Sequence, residues 1–105
     1  MEDAKQDRLE RAGWRVGDAG DFLELTPEEA AFVELKLALA FYLRELRAAQ
    51  GWTQTQTARR LRSSQSRVAK MEAADPSVSL DLLVRSLLAL GASRADVGRV
   101  IARAA

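Results

Sequence analysis

The chain has 105 residues, 48% of them apolar and 30% charged, with a formal net charge of +1. That length predicts a single domain, or one core with an added arm, of modest stability. Cys and His are both absent, which excludes disulfides, thiolate and imidazole metal sites, and any Cys or His nucleophile or base.

No basic stretch leads into an apolar one at the start, so a signal peptide is not expected. The longest apolar run, 37–43, has seven residues, far fewer than a bilayer span requires. The expected location is the cytoplasm, with no membrane partner. Charge is unevenly spread: residues 1–50 hold 7 basic and 11 acidic side chains, and residues 51–105 hold 9 basic and 4 acidic. Within 59–70, Arg59, Arg60, Arg62, Arg67 and Lys70 occur without an acid. Such a run is either a solvated basic helix face or a phosphate-facing patch.

Residues 1–12 suit a short helix, with Leu9 and Ala12 apolar. Gly13, Gly17 and Gly20 then interrupt any long element, and Trp14 and Val16 alternate with Arg15 as in a short extended piece. Phe22, Leu23 and Leu25 follow. Residues 1–25 thus read as an N-terminal arm, and 26–105 as a helical domain.

Thr26-Pro27-Glu28-Glu29 is a helix start, with Thr26 as N-cap, Pro27 at the first helical position and Glu29 completing a capping box. The helix is expected to run to about Gln50, with Gly51 as terminator. Phe32, Leu35, Leu39, Tyr42 and Leu46 make one apolar stripe; Val33, Leu37 and Phe41 make a second. One core needs only one stripe, so a second cover is expected over 30–43, either the arm (Trp14, Phe22, Leu23, Leu25) or a partner protein.

A short helix over Gln54–Leu61 follows Thr53, with Ala58 and Leu61 inward. Ser64 caps the next, Gln65 to Glu72, with Val68 and Met71 inward. So short a gap forces two helices to cross steeply. Asp75-Pro76 is a turn signal. Ser79 caps a fourth helix whose apolar face is Leu80, Leu83, Val84, Leu87 and Leu88, ended by Gly91. Ser93 and Asp96 form a second capping box that opens a last helix with Val97, Val100 and Ile101 inward. The expected fold class is all-α.

The informative segment is Thr53 to Glu72, TQTQTARRLRSSQSRVAKME. Its first helix braces the second, and the exposed positions of the second carry Gln65, Ser66, Arg67 and Lys70. These side chains can hydrogen-bond base edges in a major groove wide enough for a helix. Gln54, beside free backbone N–H groups at its own helix start, can hold a phosphate.

The segment resembles the phage-repressor-like (Cro/C1, XRE) helix-turn-helix family, from LRELRAAQGWTQ (Leu43 to Gln54) through Met71 and Glu72, and more loosely through Pro76 to Gly91. The resemblance implies a compact five-helix domain, here with a long first helix, that works as a homodimer on a pseudo-palindromic double-stranded DNA operator. It implies phosphate binding by Gln54 and base reading by Ser64, Gln65, Ser66 and Lys70, with Arg67 nearer the backbone. It places Ala58, Leu61, Val68 and Met71 in the motif core. Arg59, Arg60 and Arg62 join Gln54 and Arg67 as expected phosphate contacts. The family usually has Gly where this chain has Arg62, and an apolar residue where it has Ser63. A left-handed Arg costs about 1 kcal/mol, so either that cost is borne or the turn is reshaped.

The whole layout, arm, long helix and motif, is similar to HigA-type antitoxins, which bind RelE/HigB-like ribonuclease toxins and repress their own operons. That likeness implies a toxin partner on a surface including Trp14, Phe22, Val33, Leu37 and Phe41. Leu87, Val97, Val100 and Ile101 are expected either to form a dimer interface or to close the monomer core. The expected function is a transcriptional repressor, with an antitoxin role, a stand-alone regulator and a protein-interaction module as the readings to separate. Glu24, Glu28, Glu29 and Glu34 suit helix capping and dipole terms better than acid–base work, so no catalytic residue, cofactor or metal is expected.

Overall fold

The computed structural model describes residues 25–104. The expected arm, including Trp14 and Phe22, lies outside the described residues apart from Leu25. The chain divides into two compact units, 1–34 and 35–105. In the first, only the capped start of a helix is described. There the Thr26 hydroxyl accepts from Glu29 N–H at 3.1 Å, and the Glu29 carboxylate accepts from Thr26 N–H at 2.8 Å.

Five helices and no strand occur among the described residues: α1 (Pro27–Ala49), α2 (Gln54–Leu61), α3 (Gln65–Glu72), α4 (Leu80–Ala89) and α5 (Arg94–Arg103). The fold is all-α with a long first helix, as the sequence predicts. Thr53, Ser64, Ser79 and Ser93 cap α2 to α5 through their hydroxyls. The capping-box hydrogen bonds from Ser93 hold the Asp96 carboxyl below the usual carboxylate range. A folded-state pKa that is lowered means stabilisation present at neutral pH and lost as pH falls through that lowered value.

Helix ends are as local as the starts. After α1, Gly51 N–H donates to Ala48 O and Trp52 N–H to Arg47 O; after α2, Arg62 N–H donates to Arg59 O and Ser63 N–H to Ala58 O. The same pair of bonds closes α3 at Ala74 and Asp75, and α4 at Gly91 and Ala92. This Schellman pattern needs a left-handed residue, here Gly51, Arg62, Ala74 and Gly91. Arg62 has φ 55° and ψ 47°, so the turn keeps the family's left-handed geometry without glycine.

The core of unit 35–105 gathers Leu39, Ala40 and Leu43 of α1, Ala58 of α2, Val68 and Met71 of α3, Leu83 and Leu87 of α4, and Val97 and Val100 of α5. Leu61 is half-buried at its edge. Three expectations change. Phe32, expected inward, is 48% exposed, while Leu43, on neither expected stripe, is fully buried. The inward face of α1 runs 36, 39, 40, 43, 47, because Lys36 and Arg47 each find a specific inward partner: Lys36 Nζ donates to Asp75 O at 3.0 Å, and Arg47 pairs with Glu72. Leu88, expected on the inward face of α4, is exposed, because that face is completed by Ser86, whose hydroxyl donates to Met71 Sδ at 3.5 Å. Ile101, expected inward, is 39% exposed near the end of α5. Leu87 is fully buried and Val97 and Val100 nearly so; all three close the core.

Arg62→Gly removes the Cβ from a left-handed position and is expected to stabilise the protein by about 0.5–1 kcal/mol. Denaturant unfolding measures it, and an unchanged or lowered midpoint contradicts the strain.

Candidate functional site

α2 and α3 pack directly on one another, and α2 also meets α4. Ala58 supplies the small side chain on α2, buried like Val68 on α3. Thr57 is also fully buried, and its hydroxyl has no hydrogen-bond partner. Such an orphan costs about 1–3 kcal/mol. An apolar-periodicity reading passes over it because Thr suits an exposed helix as well.

At about 100° per residue, burying Val68 and Met71 turns Ser66, Ala69 and Lys70 to the opposite side of α3. Gln65 and Glu72 then fall at the edge toward α1 and α2, and Arg67 at the other edge. Ser64, Gln65, Ser66, Arg67 and Lys70 are all exposed. The helix therefore brings the four residues expected to read bases onto one accessible surface. Ala69, absent from the expected set, shares that face; its small size among polar neighbours was the available signal. The Ser64 hydroxyl accepts from Arg67 N–H at 3.2 Å and lies 3.3 Å from the Ser66 hydroxyl. Ser64 therefore caps the helix as well as opening this face.

The edge toward α1 is a continuous hydrogen-bond chain. Gln65 Nε2 donates to Gln54 Oε1 at 2.6 Å, and Gln54 Nε2 donates to Glu72 Oε1 at 3.1 Å. Glu72 takes both Nε and Nη2 of Arg47, the latter to Oε1 at 3.1 Å, and Arg47 Nη1 donates to Trp52 O at 2.9 Å. The Arg47 and Glu72 side chains are only 18% and 7% exposed. The hydrogen bond to Glu72 is the main cause that raises the Arg47 pKa. Gln54 is thus a bridge, fixed between the ion pair and Gln65. Its second Nε2 hydrogen and the backbone N–H groups of Gln54 and Thr55, which have no acceptor within the helix, remain for an anion.

Arg59, Arg60, Arg62 and Arg67 are exposed. They do not act as equivalents. The Arg60 guanidinium lies 3.9 Å from the centroid of the Trp52 ring, a stack that holds it in place. Arg62 is carried on the left-handed turn, and Arg67 on the edge of α3. Val33 and Leu37 are half-buried and Phe41 is 38% exposed. No group of acidic residues among those described is arranged to hold a metal, and no described helix is long and apolar enough to cross a membrane.

The pattern of the helix-turn-helix domain family matches residues 38–100, the stretch that holds the second half of α1, the two short crossed helices, α4 and most of α5. The chain belongs to the helix-turn-helix domain family. Within it the chain is of the XRE-like kind, a DNA-binding fold typical of regulators rather than enzymes. No curated protein and no solved structure gives a significant match.

Breaking this part-buried pair with Glu72→Ala is expected to cost about 1.5–3 kcal/mol, because Arg47 loses its charged partner and keeps only the Trp52 carbonyl. Replacing both partners with apolar residues of similar size is expected to recover most of that loss. Urea unfolding of the three variants decides it; a double variant as unstable as the single one contradicts the account.

Proposed function

We propose that this protein is a sequence-specific transcriptional repressor that binds duplex DNA as a homodimer on a pseudo-palindromic site. The observation that carries the reading is the face of α3 that exposes Gln65, Ser66 and Lys70 around a half-buried Ala69, in a chain of the helix-turn-helix family. Gln65 can pair with adenine and Lys70 with guanine, Ser66 can bond either, and the Ala69 methyl can meet a thymine methyl. Gln54, the first N–H groups of α2, Arg59, Arg62 and Arg67 hold phosphates, and Arg60 adds charge from its stack on Trp52. Residues 26–105 serve as the DNA-binding domain and 1–25 as an added arm. One module contacts too few base pairs for useful selectivity, so two copies on one DNA face add their contacts. Exposed Leu88 and Ile101, rather than the buried Leu87, Val97 and Val100, supply apolar surface for that pairing.

Gln65→Ala is expected to lose about 1–3 kcal/mol on a selected site and much less on random DNA. Arg62→Ala and Arg67→Ala are each expected to lower the salt slope of binding by about one unit on both DNAs. Equal losses on both DNAs for Gln65→Ala, or unchanged slopes for both arginine variants, count against the reading.

The finer reading is an antitoxin that neutralises a RelE/HigB-like ribonuclease toxin and represses its own operon. The acidic first half, 7 basic against 11 acidic side chains in 1–50, and the exposed Phe32 favour a basic protein partner there, with Val33, Leu37, Phe41 and the arm residues Trp14 and Phe22 in the surface. Charge complementarity draws such a partner away from the basic half. Deleting residues 1–25 is expected to abolish toxin binding while DNA binding persists. Retained neutralisation by the truncated protein rejects the arm's part, and a joint loss of stability and DNA binding makes the arm a core cover instead.

A further inference from the structure

One cleft is not absorbed by the exposed face of α3. It lies between the α2–α3 turn, the Arg67 edge of α3 and one edge of α4, a half-open concavity of about 380 Å³. Small-ligand sites span roughly 300–1,000 Å³, so the space suits a compact molecule. Arg60, Arg62, Arg67 and Arg85 all line it. Among the described residues, the acid paired with any of them is Asp81, 3.5 Å from Arg85, with both side chains three-quarters exposed. An ion pair so exposed contributes little, so the cleft carries a large uncompensated positive charge. Gathering like charges around one concavity is unfavourable unless an anion neutralises them.

The rest of the lining says what kind of anion. Leu61, Met71, Leu82 and Ala89 give an apolar floor, which a bare inorganic ion does not use. Ser63, also in the wall, has a hydroxyl that is buried without a hydrogen-bond partner. Guanidinium groups are planar forks matched to phosphate oxygens. Together these features favour a ligand with a phosphate at one end and a weakly polar body at the other.

We propose that this cleft binds a small nucleotide-like phosphate ester, and that the ligand controls DNA binding. The control rests on the proposed function, because Arg62 and Arg67 belong both to the cleft and to the phosphate contacts of that reading. Arg85, on α4, belongs to the cleft alone. Ligand and DNA therefore compete for two arginines, and Arg85 favours the ligand.

The test uses the full chain with ADP as probe. Calorimetric titration of the DNA-free protein at low salt is expected to give saturable binding of one ADP per chain. Arg85→Gln is expected to weaken it about tenfold or more, while changing affinity for a selected duplex in the absence of ADP by less than about twofold. ADP at a concentration near its wild-type Kd is expected to weaken duplex binding by the wild type more than by Arg85→Gln. Absence of saturable binding overturns the proposal, as does equal ADP affinity in the two proteins. An Arg85→Gln protein with a salt slope for DNA lowered by about one unit, and no ADP site in the wild type, assigns the cleft to the DNA backbone instead. If the wild type binds no duplex at all, the regulator reading fails, and the DNA-free titration still decides the cleft.

Discussion

The pair between Arg47 and Glu72 is the contact on which the arrangement of the motif depends. Arg47 sits in the last turn of α1 and Glu72 at the end of α3. Between them they also hold the Trp52 carbonyl and the Gln54 amide. One part-buried guanidinium–carboxylate fork therefore ties the end of α1, the start of α2 and the end of α3 together. Burying two charges is costly unless their remaining hydrogen-bonding capacity is met. Here Trp52 and Gln54 meet it, and the constraint passes through Gln54 to Gln65. A residue at the exposed start of α3 thus inherits its position from a charge pair at the other end of that helix. Lys36 plays a smaller version of the same part, reaching from α1 to the Asp75 carbonyl.

The boundaries of the helices can be read from the chain because they are decided within three or four residues. Thr26, Thr53, Ser64, Ser79 and Ser93 are recognisable as caps, and Gly51 and Gly91 as stops. Burial reads less well where polar residues take inward places. Lys36 and Arg47 take inward places on α1 that neither expected apolar stripe includes, with partners 39 and 25 residues away. No local pattern encodes such a separation. On α4 likewise the buried polar residue is Ser86, hydrogen-bonded to Met71, while Leu88 is exposed. Of the candidate site, residue types and spacing identify the exposed positions of α3. The differences among the arginines, with Arg60 stacked on Trp52 and Arg62 held on a left-handed turn, emerge only once the helices are packed.

Arginine at a left-handed turn and a buried Thr57 hydroxyl both oppose stability locally. Arg62 stands where a glycine would be easier, and it puts a charge beside the cleft and the α3 surface. Natural chains tolerate such local conflicts where another requirement outweighs them. For Thr57 the structure offers no comparable return.

The four left-handed reversals have a consequence for how this chain can vary in length. Each is closed by two backbone hydrogen bonds and followed almost at once by the next cap or by a core side chain. A residue inserted into 62–64 would break the two bonds that close α2 or displace the Ser64 cap of α3, and so disturb the packing of α3 on α2. The 50–53 and 90–93 connections are equally tight. In the longer 73–79 segment, Ala74 and Val78 are buried and the Asp75 carbonyl is held by Lys36, which leaves Pro76 and Ser77 at the exposed tip. Between α1 and α5, insertions are therefore tolerated at essentially one place, and relatives of this chain should differ in length there before anywhere else in the motif.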